Sequence, residues 1–192
     1  MNVKNDMGFY EDSGITGEKY TFDTTYYPYY GYLSDDAKAM YQQIYANALE
    51  LETSFVPTVE LTVNEVVNVI NAVYHDHPEL FWMESGYTYK YTEDNICVHV
   101  ILNFNQTADY IEEAKAQFES KANEIIAGAS VLAGDYEKEK YVYQALIACV
   151  EYDENAELHQ SPYSALVYGK SVCAGYARAF QYIMLELGVP TY

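Results

Sequence analysis

The stretch GKSVCAGYARAF, residues 169–180, decides the reading of this chain. It sets one cysteine, Cys173, between a chain-breaking Gly169 and an apolar, alanine-rich run. Tyr176, Ala177, Phe180, Met184 and Leu187 recur at helical spacing, and Gly188 and Pro190 stop the pattern. The spacing predicts a final helix from about Val172 to Leu187, with Cys173 in its first turn. Unpaired amides and the helix macrodipole favour an anion at that end, which suits a thiolate. The Cys173 amide would point toward a developing oxyanion. Gly175 lets another chain or a substrate come close to the helix. On spacing alone, a buried structural cysteine is the commoner reading of such a position.

Working outward, EYDENAELHQSP (151–162) reads as a loop. Before it, Asp135 opens a helix after Gly134, with Val142, Ala145, Leu146, Cys149 and Val150 as its buried stripe. Cys97 and Cys149 both lie in apolar patterns and read as core residues. Thr107 is expected to cap a long helix carrying Ile111, Ala114, Phe118, Ala122, Ile125 and Ala129 on one face. GYTYKY (86–91) and ICVHVILNF (96–104), parted by TEDN, give a hairpin signal. TVNE (62–65) is a capping box, followed by a stripe of Val63, Val66, Val67, Ile70 and Tyr74 that stops before Pro78. Phe81 and Trp82 read as core anchors. Ser34 caps a further helix, with Asp35 and Asp36 in its first turn and Ala37, Met40, Tyr41, Ile44, Ala48 and Leu51 on one face. TYYPYYGYL (25–33) reads as an aromatic loop, with Pro28 and Gly31 as breakers. The expected fold is α+β, mostly helical with an antiparallel hairpin. The expected division is a loose arm over 1–24, a helical and hairpin region over 25–131, and a last region over 132–192.

Lys and Arg number 10 against 29 Asp and Glu, a net charge of −19. So acidic a surface repels phosphate backbones and anionic lipid, so no nucleic-acid partner is expected. No run of about 18 apolar residues occurs, so no membrane insertion is expected. MNVKNDMGFYEDSG (1–14) has no apolar core of the kind a signal peptide needs, so none is expected in this sequence. The three cysteines are far apart and form no C-x-x-C, which argues against a zinc ribbon, a redox pair or a disulfide framework. His75 and His77 bracket Asp76, but side chains two apart diverge and no third ligand has matching spacing, so no metal is expected. His99 reads as structural and His159 as a solvated loop residue. With 23 tyrosines the chain can build half-buried, wet-edged packing, and less readily a surface for sugar or peptide.

SPYSALVYGKSVCAGYARAFQYIMLELGVPTY (161–192) resembles the transglutaminase-like superfamily in its bacterial branch. The positions that carry the likeness are Tyr163, Ala165, Leu166, Gly169, Val172, Cys173, Gly175, Tyr176, Ala177, Ala179, Phe180, Leu187, Gly188 and Pro190. YEKEKYVYQALIACVEYD (136–153) resembles the helix and Tyr-Asp that precede this motif, and DHPELFW (76–82) a segment of the amino-terminal extension in such proteins. The likeness is specific around Cys173 and weaker upstream. It implies a papain-like site, with Cys173 attacking a carboxamide or peptide carbonyl, a histidine as base and an aspartate orienting it. It also implies an extracellular or cell-surface setting and peptide substrates such as wall peptides.

The resemblance places that histidine and aspartate on strands after the cysteine helix, whereas all four histidines here precede Cys173. The chain is therefore expected to hold the first half of such a core and to be inactive alone. It would be a shortened form of a longer enzyme, a segment of a split gene, or a degenerate relative kept for binding, the first being preferred. A core face left bare in this way is expected to seek a second copy of the chain. No cofactor is expected, and no EF-hand-like loop suggests calcium. The competing reading is a non-catalytic, acidic, tyrosine-rich module that binds peptide or glycan.

Overall fold

The computed structural model describes Ile15 and residues 20–192. Most of the arm expected over 1–24 lies outside the described residues. The described elements run α1 (Pro28–Gly31), α2 (Asp35–Leu49), β1 (Ser54–Phe55), α3 (Val63–Asp76), β2 (Met83–Tyr91), β3 (Cys97–Phe104), α4 (Ile111–Ala129), α5 (Asp135–Cys149), β4 (Glu151–Tyr152), β5 (Lys170–Ser171) and α6 (Cys173–Glu186). The fold is α+β and mostly helical, with the hairpin where the alternation put it. None of the described helices is long and apolar enough to cross a membrane.

Local chemistry sets most boundaries. The Ser34 hydroxyl accepts from the Ala37 amide and starts α2. At α3 the predicted capping box forms: the Thr62 hydroxyl accepts from the Glu65 amide, and the Glu65 carboxylate accepts from the Thr62 amide at 2.8 Å. β2 and β3 pair antiparallel, Tyr89 opposite Val100 and Lys90 opposite His99. Asn95 makes their turn in the left-handed region (φ 64°) that asparagine tolerates. β1, too short to be foreseen, pairs with the far edge of β3, giving the order β1-β3-β2.

Four expectations change. The aromatic loop over 25–33 contains the short helix α1, because Asp76, distant in sequence, caps it: its carboxylate accepts from the amides of Tyr29 (3.2 Å) and Tyr30 (2.8 Å). Pro28 at the first helical position fits the same end. Thr107 is not the cap of α4. Asn105 accepts from its amide and hydroxyl, opening a 3₁₀ turn (Gln106–Tyr110) that leads into α4. In α3 the buried face centres on Val66, Val69, Ile70 and Val73, while Val67 and Tyr74 are only half-buried. In α5 only Val142 and Leu146 are buried. Cys149, expected in the core, is exposed where that helix runs out.

One apolar cluster runs through these elements, from Met40, Tyr41 and Ile44 of α2 to Ala179, Ile183 and Met184 of α6. Phe81 and Trp82 anchor it as expected. The Trp82 indole N–H donates to the Ala48 carbonyl at the end of α2, at 2.8 Å. Phe81 stacks on Tyr163 at 5.1 Å and meets Phe118 at 4.6 Å, joining the hairpin approach to α4 and the segment before Cys173.

Candidate functional site

The segment that presents Cys173 is built from hydrogen bonds to backbone. A π-helical turn, Ser164–Tyr168, ends at Gly169 in the left-handed region (φ 65°), where a β-carbon would press the Cys149 carbonyl at 3.1 Å. Lys170–Ser171 then pairs parallel with Glu151–Tyr152, the Glu151 amide donating to the Gly169 carbonyl (2.8 Å) and the Asp153 amide to the Ser171 carbonyl (3.0 Å). Lys170 and Asp153 close the same junction at 3.1 Å, and the Asn155 amide, helped by Lys170, holds the Asp153 carboxyl below its usual range. Ser171 and Val172 both donate to the His159 carbonyl, at 2.7 and 3.0 Å.

Val172 is extended (φ −105°, ψ −178°) and α6 begins at Cys173 with no side chain capping it. The first intrahelical bond runs from the Tyr176 amide to the Val172 carbonyl. The leading amides of α6 are therefore left for something else to use. Cys173, a free thiol, is exposed at this end rather than packed in hydrocarbon. Gly175 is buried, and the close approach it was expected to allow is made by the chain itself. A β-carbon there would run into the Ser171 hydroxyl and sit 2.8 Å from the Ser161 carbonyl and 2.9 Å from that of His159. The Tyr176 hydroxyl donates to the Val150 carbonyl, tying the first turn of α6 to the end of α5.

The buried face of α6 is not the one the spacing suggested. Arg178 and Gln181 are buried beside Gly175, Ala179, Ile183 and Met184, whereas Ala177 is exposed and Tyr176 and Phe180 are half-buried. The two polar residues face the end of α3. Arg178 donates to the carbonyls of Tyr74 and His77 (the latter at 3.3 Å), and Gln181 to that of His75 at 2.8 Å. Carbonyls that a helix end leaves open are thereby satisfied. No periodicity could reveal this, since the partners lie more than 100 residues apart.

The histidines go elsewhere. His77 is fully buried, with Nε2 at 2.8 Å from the Tyr41 hydroxyl and Nδ1 at 2.5 Å from Glu79, among the rings of Phe22, Tyr27 and Tyr45. Tyr41 also donates to Asp76 at 2.9 Å. Burial pushes the Asp76 carboxyl up, against the pull of its three hydrogen bonds. His75 lies exposed against Tyr29 and Tyr74. His99 is buried in β3. His159 is half-buried rather than solvated, with Nδ1 at 3.0 Å from the Ala156 carbonyl. Among the described residues no histidine ring is hydrogen-bonded to Cys173, and no three His, Cys, Asp or Glu side chains converge as a metal-binding group.

The family model described as the transglutaminase-like superfamily matches residues 119–191. No curated protein matches the chain. The matched segment starts inside α4, takes in α5, the parallel β4–β5 pair and all of α6, and has the exposed Cys173 thiol within it. Over this segment the chain is similar to the transglutaminase-like superfamily.

Proposed function

We propose that Cys173 is the nucleophile of a transglutaminase-like cysteine hydrolase or acyltransferase acting on peptide or carboxamide bonds. The observation that carries this reading is an exposed, free thiol at the uncapped start of α6, inside the matched segment. The thiolate adds to the carbonyl carbon. The C–S bond forms, the C–N bond breaks, and nitrogen leaves as ammonia or an amine once it has gained a proton. Water or another amine then attacks the thioester carbonyl, and the C–S bond breaks to restore the thiolate. The open amides at the head of α6 suit the oxyanion of both steps.

The proton for the departing nitrogen comes from none of His75, His77, His99 or His159 as they stand. Positioned acid–base catalysis contributes roughly 10²–10⁴-fold. The 192-residue chain is therefore expected to turn over carboxamides very slowly while keeping a reactive sulfur.

Two measurements test this. With iodoacetamide at neutral pH, Cys173 is expected to react first and Cys97 last. Cys97 is enclosed and burial pushes its thiol up, and burial also pushes up the more accessible Cys149. p-Nitrophenyl acetate, whose leaving group needs no proton, is expected to acetylate Cys173 where a peptide carboxamide does not. Cys149 labelling as fast as Cys173, or no acetyl-thioester on Cys173, overturns the assignment.

A further inference from the structure

A cleft of about 270 Å³ lies between residues 83–86 at the start of β2 and the loop of residues 158–162. Tyr74, Phe81, Asn105 and Arg178 complete its wall, and Cys173 is not part of it. Arg178 is five residues along α6 from Cys173, roughly 140° round the helix. The cleft thus occupies another side of α6 from the thiol.

Arg178 is only 7 % exposed. Two of its nitrogens serve the carbonyls at the end of α3, and its carbon Cζ stacks over the Tyr74 ring at 3.9 Å. Its Nε is buried with no hydrogen-bond partner. No described Asp or Glu forms an ion pair with it, although the chain carries 29 acidic residues. Helix carbonyls offer partial negative charge, but a buried full charge without a counter-ion is costly. Glu79 lies near enough to favour its charge but makes no ion pair with it, so in so acidic a chain this cation keeps a face available to an anion from outside.

We propose that this cleft binds the carboxylate of a small amino-acid-like ligand, with the Arg178 guanidinium as its counter-ion. A planar guanidinium matches a planar carboxylate. The volume falls just below the 300 Å³ or so at which pockets for drug-sized ligands begin, which suits one or two residues. Glu84, exposed on the wall and in no ion pair among the described residues, favours a ligand that also carries an ammonium and disfavours a phosphate dianion. Part of the wall is already set. The Asn105 amide and the Ser161 hydroxyl both donate to the Phe81 carbonyl, at 2.8 and 3.0 Å, so little ordering remains for the ligand to supply. A free amino acid and the C-terminal residue of a peptide share this chemistry.

The test is an NMR titration of the ¹⁵N-labelled full chain with alanine, alanyl-alanine, N-acetylalanine and alaninamide. Alanine or alanyl-alanine is expected to shift the amides of Ser85, Gly86 and Gln160 saturably, and alaninamide is not. Response to alanyl-alanine alone assigns a peptide terminus; response to alanine alone assigns a free amino acid. Arg178→Lys keeps the charge without the planar fork and is expected to weaken binding at least about tenfold. Glu84→Gln is expected to keep carboxylate binding and lose the preference for alanine over N-acetylalanine. Arg178 also holds α3, so if Arg178→Lys does not fold, the wild-type contrast of acid with amide decides. Cys173→Ser is expected to leave every titration unchanged, which separates this site from the acyl-transfer chemistry. Alaninamide shifting these amides as strongly as alanine overturns the proposal. So does the absence of saturable shifts with both acids at about 10 mM, beyond the weak end of ordinary affinities.

Discussion

Helices α2 and α5 are both 15 residues long and each carries nine apolar or aromatic residues, yet α2 buries eight residues and α5 buries two. In α2 the apolar residues fall on one broad face, and α1, α3 and the aromatic rings of residues 20–45 close over it. In α5 they go all round the helix while packed neighbours lie on one side, so Tyr136, Tyr143 and Ile147 stay 69, 60 and 55 % exposed. Apolar content is a statement about a helix; burial is a statement about its neighbours. The thiol reading depends on the thinly packed half, and the polar network around His77 belongs to the other.

The sharpest way to break this contrast is a matched pair of truncations. Ile44→Ala, at a fully buried site, is expected to cost about 3–4 kcal/mol, and Ile147→Ala to stay within about 0.5 kcal/mol. Similar losses of denaturation midpoint in the two variants would show that α5 is as enclosed as α2. Next in size, Asp76→Asn puts an amide where three donors converge, and is expected to cost about 2–3 kcal/mol by chemical denaturation. An unchanged midpoint would mean that α1 is held by something other than this carboxylate.

Gly175→Ala is expected to cost about 2 kcal/mol and to slow iodoacetamide at Cys173, because two backbone carbonyls of the 158–162 loop must move. Labelling at the wild-type rate would mean that this loop does not fix the first turn of α6. The smallest effect is at the capping box. Thr62→Ala is expected to cost about 1 kcal/mol at neutral pH. The Thr62 hydroxyl and amide hold the Glu65 carboxyl below its usual range. The stability they give is present above the ordinary carboxylate range and fades as pH falls through the lowered value. The gap between wild type and variant should therefore narrow in acid.

Local signals were legible and distant ones were not. Ser34, the Thr62–Glu65 box, the Asn95 turn and the Gly169 break each act within a few residues, so the sequence alone carries them. So does the start of α6, which fixes where Cys173 stands. Asp76 gives no local signal of its role, because the partners of its carboxylate, Tyr29, Tyr30 and Tyr41, lie 35 or more positions earlier. Arg178 gives no local signal of its role, because the carbonyls it serves belong to α3. Cys149 fits the apolar stripe of α5, and spacing could not tell that the core takes in Leu146 and Val150 on either side of it but not Cys149 itself.

The contact of Arg178 and Gln181 with the last turn of α3 has a consequence for how the protein can be divided. The family match begins near residue 119, partway along α4, but the packing does not. Cutting there would remove the part of the core built by α2, α3 and the hairpin and leave two polar side chains with nothing to hold. The matched segment is thus smaller than the core it packs into, and its edge is no guide to where a blade could pass.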